Sequence, residues 1–375
     1  MDKIEELLTR GVDKIYPSKE DLEGKLNEKK LRVYQGFDPT SPQLHIGHLV
    51  GLRKLRQWQD LGHEVIFLIG DFTATIGDPT GKDTARVPLT QEQVLKNAET
   101  YKKQAGKILK FDGENPVKIK FNSEWLGKIS AQELLKLAGN ITHGQLIERD
   151  MFQERTKREK DIYLSELLYP LMQAYDSVVM DVDVEVGGTD QTFNMLMGRK
   201  LMRNLKKKEK YVMTTPLLVD SQGTKIGKSE GNAIAIDDEP SELYAKLMAL
   251  GDDVIVKGFE YLTDLPMEEV RQISEDLRLG KNPMSYKKML AFEIVKQLNS
   301  HDVAHKAQQD FEKTVQAKNM TEETLEISSK DKDKTVDIIS EKTNLSKSEV
   351  KRLIRQSKNP NKIKVGRKIL SVIYK

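Results

Sequence analysis

LRVYQGFDPTSPQLHIGHLVGLRKLRQWQDLGHEVIFLIGD, residues 31–71, reads as strand, helix, strand. The stretch KLRVYQGFD forms a first strand ending at Gly36. Leu44, His48, Leu52 and Leu55 then recur at helical spacing, and the pattern stops at Gly62. HEVIFLIGD is a continuous apolar run, as expected of a parallel strand covered on both faces. NPVKIKF and DSVVMDVDVEVGG read as further strands, with helical stretches between. The fold class is therefore α/β, an open and mostly parallel sheet. Ligands bind such sheets outside the carboxyl ends of the strands. The loops at Gly36, at Gly77 and after Val186 should converge there.

A chain of 375 residues is long for one core, so two or three domains are expected. Charged residues make up 32% of it, and the N-terminal MDKIEELLTR is an acidic amphipathic helix without an apolar signal core. The expectation is a soluble cytoplasmic chain with no membrane partner. With zero cysteines there is no thiolate nucleophile and no zinc-finger spacing. The net charge of +3 conceals an asymmetry. Residues 331–375 carry +8, and the first 330 carry −5. A basic tail on an acidic body suits an anionic partner, nucleic acid first, with a solvated basic face as the alternative.

From Pro240 to Gln316 the periodicity turns helical, and residues 317–334 are polar and charged enough to be a linker. The last forty residues hold a short helix (TVDIISEKT), a basic helix (KSEVKRLIRQ) and two β-like runs around KVGRK.

Two motifs carry chemistry. The first is His45-Ile46-Gly47-His48 at a helix start. Unpaired N–H groups and the helix dipole attract phosphate at such an end. Two imidazoles add donors without a buried cation, and Gly47 lets a flat ring lie on the backbone. Packing histidines or a metal pair are the alternatives, but the neighbours Gln43, Ile46 and Leu49 supply no adequate metal ligand set, so no metal is assigned. The second motif is GTKIGKSEGN, residues 223–232, where Lys225 and Lys228 stand among Gly223, Gly227 and Gly231. A cationic loop of this kind can fold over a polyphosphate and hold the charge that develops as it leaves.

Together, His-Ile-Gly-His and Lys-Ile-Gly-Lys-Ser resemble the two signatures of class I aminoacyl-tRNA synthetases, whose Rossmann-like domain activates an amino acid with ATP. The usual second signature is Lys-Met-Ser-Lys-Ser. Ile226 and Gly227 depart from it, whereas both lysines and Ser229 remain.

SELLYPLMQAYDS places Tyr169, Gln173 and Asp176 at i, i+4 and i+7. At about 100° per residue they fall within roughly 60° of one another on a helix. Three polar groups together in so apolar a setting mark the wall of a polar pocket, and Pro170 should kink the helix or begin a new one. This segment resembles the amino-acid-binding helix of the tyrosyl-tRNA synthetase family. VYQGFDPTSPQLHIGHL, GDFTATIGDPTGK, FNSEW and VGGTDQTFN resemble that family too, in the family's order.

The resemblance implies that Tyr34 and Asp176 hold the substrate phenol, and that Asp78, Tyr169 and Gln173 hold its ammonium group. It places Asp190 and Gln191 near the ribose and the reacting carboxylate. Gly36, Asp38, Gly47, Asp190 and Lys228 would bind ATP. Catalysis would rest on Thr40, His45, His48, Lys82, Arg86, Lys225, Lys228 and Ser229. The substrates would be L-tyrosine, tRNA(Tyr) and ATP, with Mg2+ on the triphosphate and no tightly bound cofactor. A homodimer is expected.

The implied domains are a Rossmann-like catalytic domain with an inserted connective and dimer segment (1–235), a helical anticodon-binding domain (236–316), the linker (317–334) and a shortened α+β RNA-binding tail (335–375). GDPTGKD, residues 77–83, is not a P-loop. Only three residues separate its glycines, and Asp83 stands where Ser or Thr is needed. The alternatives carried forward are a tryptophanyl or other class I synthetase, a nucleotidyl transferase of the same fold, and a non-catalytic RNA-binding relative.

Overall fold

The structure is a computed structural model that describes residues 2–80, 89–220, 223–227, 231–313, 321–327, 334–343, 347–357, 362–365 and 368–374. The chain divides into two compact units, residues 1–304 and 305–375. No helix among the described residues is long and apolar enough to cross a membrane.

The first unit is built on a six-stranded sheet with the order β1-β6-β5-β2-β3-β4. The strands are β1 (Lys14–Tyr16), β2 (Arg32–Phe37), β3 (Glu64–Ile69), β4 (Lys118–Phe121), β5 (Val184–Gly188) and β6 (Tyr211–Thr215). All neighbours run parallel except β1, which lies antiparallel on β6. From β2 the chain builds outward through β3 and β4, then returns to the other side of β2 for β5 and β6. The strand order therefore reverses between β2 and β5, and a crevice opens at such a switch point.

The helix Ile46–Asp60 joins β2 to β3 and buries Leu49, Leu52, Leu55 and Trp58. Its successor Gly62 sits at φ +79, a backbone that a side chain would strain. At the far end of β2, the Leu31 N–H donates to Nδ1 of the buried His63 at 3.0 Å. His63 thus closes the loop between that helix and β3.

Three expectations are corrected. The run DSVVM is not strand: the helix Leu164–Met180 continues through it, and the strand begins only at Val184. Asp176, Ser177, Val178 and Met180 are buried from within that helix, so the side chains that suggested a strand serve helix packing instead. The helix also passes through Pro170 without ending, with Pro170 buried in its interior.

Hydrogen bonds cross the boundary expected at residue 235. The helices Pro240–Met248, Val254–Leu262, Met267–Arg278 and Pro283–Leu298 belong to the first unit. The C-terminal carbonyls around Val254–Leu262 accept from buried cations of the Rossmann-like part. Arg10 donates to Phe259 O (3.2 Å), Glu260 O (2.9 Å) and Thr263 O (2.6 Å), and Arg53 donates to Thr263 O and Asp264.

Thirdly, the segment 317–334 is not wholly linker, because Thr321–Ile327 forms strand β7. In the second unit β7 pairs in parallel with β9 (Lys368–Tyr374), which pairs antiparallel with β8 (Lys362–Val365). The helices Thr335–Thr343 and Lys347–Gln356 complete a small core of Leu325, Ile339, Val350 and Val372. Leu325 supplies the apolar anchor that the charged composition conceals.

Candidate active site

A cavity of about 250 Å³ lies at the switch point. It is walled by the carboxyl ends of β2, β3 and β5, the segment after β6, the start of the helix Ile46–Asp60 and one side of the helix Leu164–Met180. Every described residue nominated from the sequence lines it: Tyr34, Gly36, Asp38, Thr40, His45, Gly47, His48, Asp78, Tyr169, Gln173, Asp176, Asp190, Gln191 and Lys225. Lys82, Arg86, Lys228 and Ser229 lie outside the described residues.

The two histidines cap their own helix. The Gly47 N–H donates to His45 Nδ1 (3.1 Å) and the His45 N–H donates to His48 Nδ1 (3.1 Å). Because each Nδ1 accepts, each Nε2 carries the ring hydrogen, so each imidazole offers a neutral N–H. Burial pushes His45 down to about 4, helped by the Lys225 ammonium. Burial likewise pushes His48 far down, with His45 and Lys225 adding to it. The pair is uncharged at neutral pH.

Backbone hydrogen bonds bring the two motifs together across about 180 residues of sequence. The Ile46 N–H donates to Ile234 O (2.9 Å) and the Ile236 N–H donates to Leu44 O (3.0 Å), so the histidine turn is stitched to the segment just after the lysine loop. Ile226 N–H donates to Leu218 O (2.8 Å), and its side chain is buried. A Cβ added at Gly47 would stand 3.1 Å from Ile226 O and 2.9 Å from His45 Cε1, which is why the position between the histidines has no side chain. Lys225 Nζ pairs with Asp190 at 2.5 Å.

The helix Leu164–Met180 supplies the opposite wall. Tyr169 donates to Asp38 (2.8 Å), whose other oxygen accepts from Thr73 Oγ1 (2.8 Å). Gln191 Nε2 donates to Asp78 (2.7 Å), and Gln173 Nε2 donates to Glu185 (3.1 Å). Asp176 is 2% exposed and accepts from Trp125 Nε1 (2.7 Å) and Asn122 Nδ2 (3.3 Å). Burial drives its carboxyl well above the ordinary range, against those two bonds. Tyr34, 1% exposed, has its hydroxyl on Ser177 Oγ at 2.8 Å.

The sequence reading missed Asn122, Trp125, Ser177, Glu185 and Lys210. FNSEW held the first two, and their bonds to Asp176 were the missing information. Lys210 ends the run KKKEK, whose other members hide it.

The model of the family tRNA synthetases class I (W and Y) matches residues 26–316, and the chain belongs to that family. Among its relatives, the tyrosine–tRNA ligase of Photobacterium profundum is 46% identical over 332 residues, 87% of this chain and 83% of that one. Tyrosine–tRNA ligase 2 of Vibrio cholerae serotype O1 is 47% identical over 321 residues, 85% of this chain and 80% of its own. Tyrosyl-tRNA synthetase from Archaeoglobus fulgidus, solved with L-tyrosine, superposes with a TM-score of 0.65 at 26% identity, covering 82% of this chain and 100% of that one. A C-terminally truncated mitochondrial tyrosyl-tRNA synthetase from Aspergillus nidulans gives 0.70 at 25% identity, over 83% and 93%.

Proposed function

We propose that this chain is a tyrosine–tRNA ligase. It joins L-tyrosine to the α-phosphate of MgATP, giving tyrosyl-adenylate and pyrophosphate, and then passes the tyrosyl group to the 3′ end of tRNA(Tyr). The observation that carries the reading is the buried Asp176, a carboxylate aligned by Trp125 and Asn122 in the cavity wall. A phenol hydroxyl supplies the donor that such a carboxylate wants. A phenyl ring without the hydroxyl would bring no donor to it in a buried wall. Tyr34 closes the phenol end, and Asp78, Tyr169 and Gln173 take the ammonium group.

The tyrosine carboxylate attacks the α-phosphorus while the bond to the β-phosphate breaks. No general base is needed, since the nucleophile is already ionised. The rate comes from alignment and from charge stabilised as it develops on the phosphates. The Nε2–H groups of His45 and His48, Thr40, and the ammonium of Lys225 supply donors from the described residues. Lys82, Arg86, Lys228 and Ser229 join them in this reading, with Gly36, Asp38, Gly47 and Asp190 along the nucleotide and Gln191 near the reacting carboxylate. In the second step a ribose hydroxyl attacks the acyl carbon and AMP leaves.

The helical region 236–316 is assigned to the anticodon and the tail 335–375 to tRNA phosphates, which its net positive charge suits. A homodimer is supported by the exposed apolar side chains Leu135, Tyr163 and Leu164 in the segment between β4 and β5. Its place is the cytoplasm, where aminoacylation feeds translation.

His45→Ala tests the reading. Removing one transition-state donor should slow adenylate formation by about 10²–10³. Tyrosine affinity, followed by equilibrium dialysis, should stay unchanged. Weakened tyrosine binding with an unaltered rate would overturn the assignment.

A further inference from the structure

Behind the cavity wall lies a buried ion pair that the chemistry above does not use. Lys210 is fully buried and Glu185 is 2% exposed. Lys210 Nζ donates to Glu185 Oε2, to Ser177 Oγ at 2.7 Å and to Met195 O at 3.2 Å, which commits all three of its hydrogens. A buried pair of this kind is a poor source of stability, because desolvating two charges offsets most of their attraction. The fold nevertheless makes room for it. Gly198 is interior to the helix Thr192–Leu201, and a Cβ there would strike the Lys210 ammonium and stand 2.9 Å from Ser177 Oγ.

We propose that the Lys210–Glu185 pair is a positioning device that fixes which face the Gln173 amide and the Tyr34 hydroxyl turn to the amino acid, and so selects a substrate bearing an α-ammonium group. The proposal rests on the reading that tyrosine occupies the cavity. Glu185 lines that cavity and sits beside Tyr34 in the β2–β5 register. An ionised carboxylate only accepts, so with Oε2 held by Lys210, Oε1 obliges Gln173 to present its NH2 group. The Gln173 oxygen is then its one group left for a cation, and it is buried without a hydrogen-bond partner among the described residues. A flipped amide would aim two N–H donors at the ammonium instead.

The same lysine sets the phenol end. Ser177 Oγ accepts from Lys210, and its own hydrogen has Tyr34 at 2.8 Å or Glu185 at 3.4 Å. Donation to the nearer oxygen leaves the Tyr34 hydroxyl hydrogen for the substrate. One buried cation thereby orders donors and acceptors at both ends of the pocket.

The test is the paired variant Glu185→Gln with Lys210→Met, which removes both charges together, and Glu185→Gln alone. Three ligands are compared in tyrosine-dependent ATP–pyrophosphate exchange: tyrosine through its KM, and tyramine and 3-(4-hydroxyphenyl)propionate through competitive inhibition. Tyramine keeps the ammonium and lacks the carboxylate; the propionate keeps the carboxylate and lacks the ammonium. All three ligands keep the phenol and share whatever is lost at that end, so both variants should weaken tyrosine and tyramine by about 10- to 100-fold more than the propionate, the range for one hydrogen bond to a charged group. Equal weakening of all three ligands would reduce the pair to a packing role, and no weakening of any would remove the role altogether. If one variant fails to fold, the other is judged by the same comparison. Loss of folding in both would make the pair structural and overturn the proposal. Absence of tyrosine-dependent exchange in the unaltered protein would instead sink the functional reading itself.

Discussion

Asp176→Asn keeps the shape of the wall and changes only its hydrogen-bond chemistry. Asp176 accepts at 2.7 Å from the half-buried Trp125 and at 3.3 Å from the buried Asn122, and is itself buried. The asparagine oxygen stays on the shorter bond, toward Trp125. Its NH2 group then faces another amide donor and the substrate phenol, where a carboxylate oxygen stood. Tyrosine loses a hydrogen bond to a charged acceptor, about 1.5–3 kcal/mol, or roughly 10- to 100-fold in kcat/KM. Phenylalanine gains, because no buried charge is stranded when its bare ring enters, and that relief is worth about 1–3 kcal/mol. The preference for tyrosine over phenylalanine should therefore fall by about 10²–10⁴ as the two effects combine. ATP–pyrophosphate exchange with each amino acid alone, compared as kcat/KM, measures it. A variant that loses activity on both amino acids equally, with their ratio preserved, would refute the role given to Asp176.

Two predictions concern stability. His45 and His63 are both held down to about 4 from an ordinary 6.5, chiefly by burial, with the Lys225 and Lys30 charges contributing respectively. The unfolded chain therefore binds more protons between those values, so stability is full above pH 6.5 and falls as the pH drops toward 4. For the buried His63 the loss is about 2 kcal/mol by pH 5. Urea midpoints at pH 7 and 5 should converge in His63→Gln relative to the unaltered chain, and equal pH slopes in the two proteins would contradict this. Arg155, 1% exposed, makes a two-pronged bond to the buried Glu166 at 2.7 and 2.9 Å. Arg155→Met strands that carboxylate and should cost about 3–5 kcal/mol, whereas Arg155→Met with Glu166→Met should recover most of it. Chemical denaturation reads both, and a single variant as stable as the double would count against the pair.

The strand–helix–strand core was legible because β2, β3 and the helix between them carry their own periodicity. β1 and β6 were not. A three-residue edge strand has too few positions to show a period, and its pairing depends on a strand about 200 residues away. DSVVM misled for a related reason: its valines favour a strand locally, but the helix Leu164–Met180 runs through them and buries Val178. β7 was hidden because its partner β9 lies beyond two helices. In the site, charged or polar residues in apolar runs announced themselves, as Asp176 and Gln173 did. Lys210 looked like its solvated neighbours, since burial of one lysine in a run of charged residues is a tertiary fact. Glu185 read as the polar beat of a strand, and only the three-dimensional network revealed its partner.

The central claim is that neutral histidine donors, a lysine loop and a carboxylate-tipped pocket act on one amino acid over one triphosphate. ATP–pyrophosphate exchange, run with each of the twenty amino acids in turn, tests it most directly. Tyrosine alone should support rapid exchange. Exchange with tryptophan, or with no amino acid at all while the protein remains folded, would contradict the account.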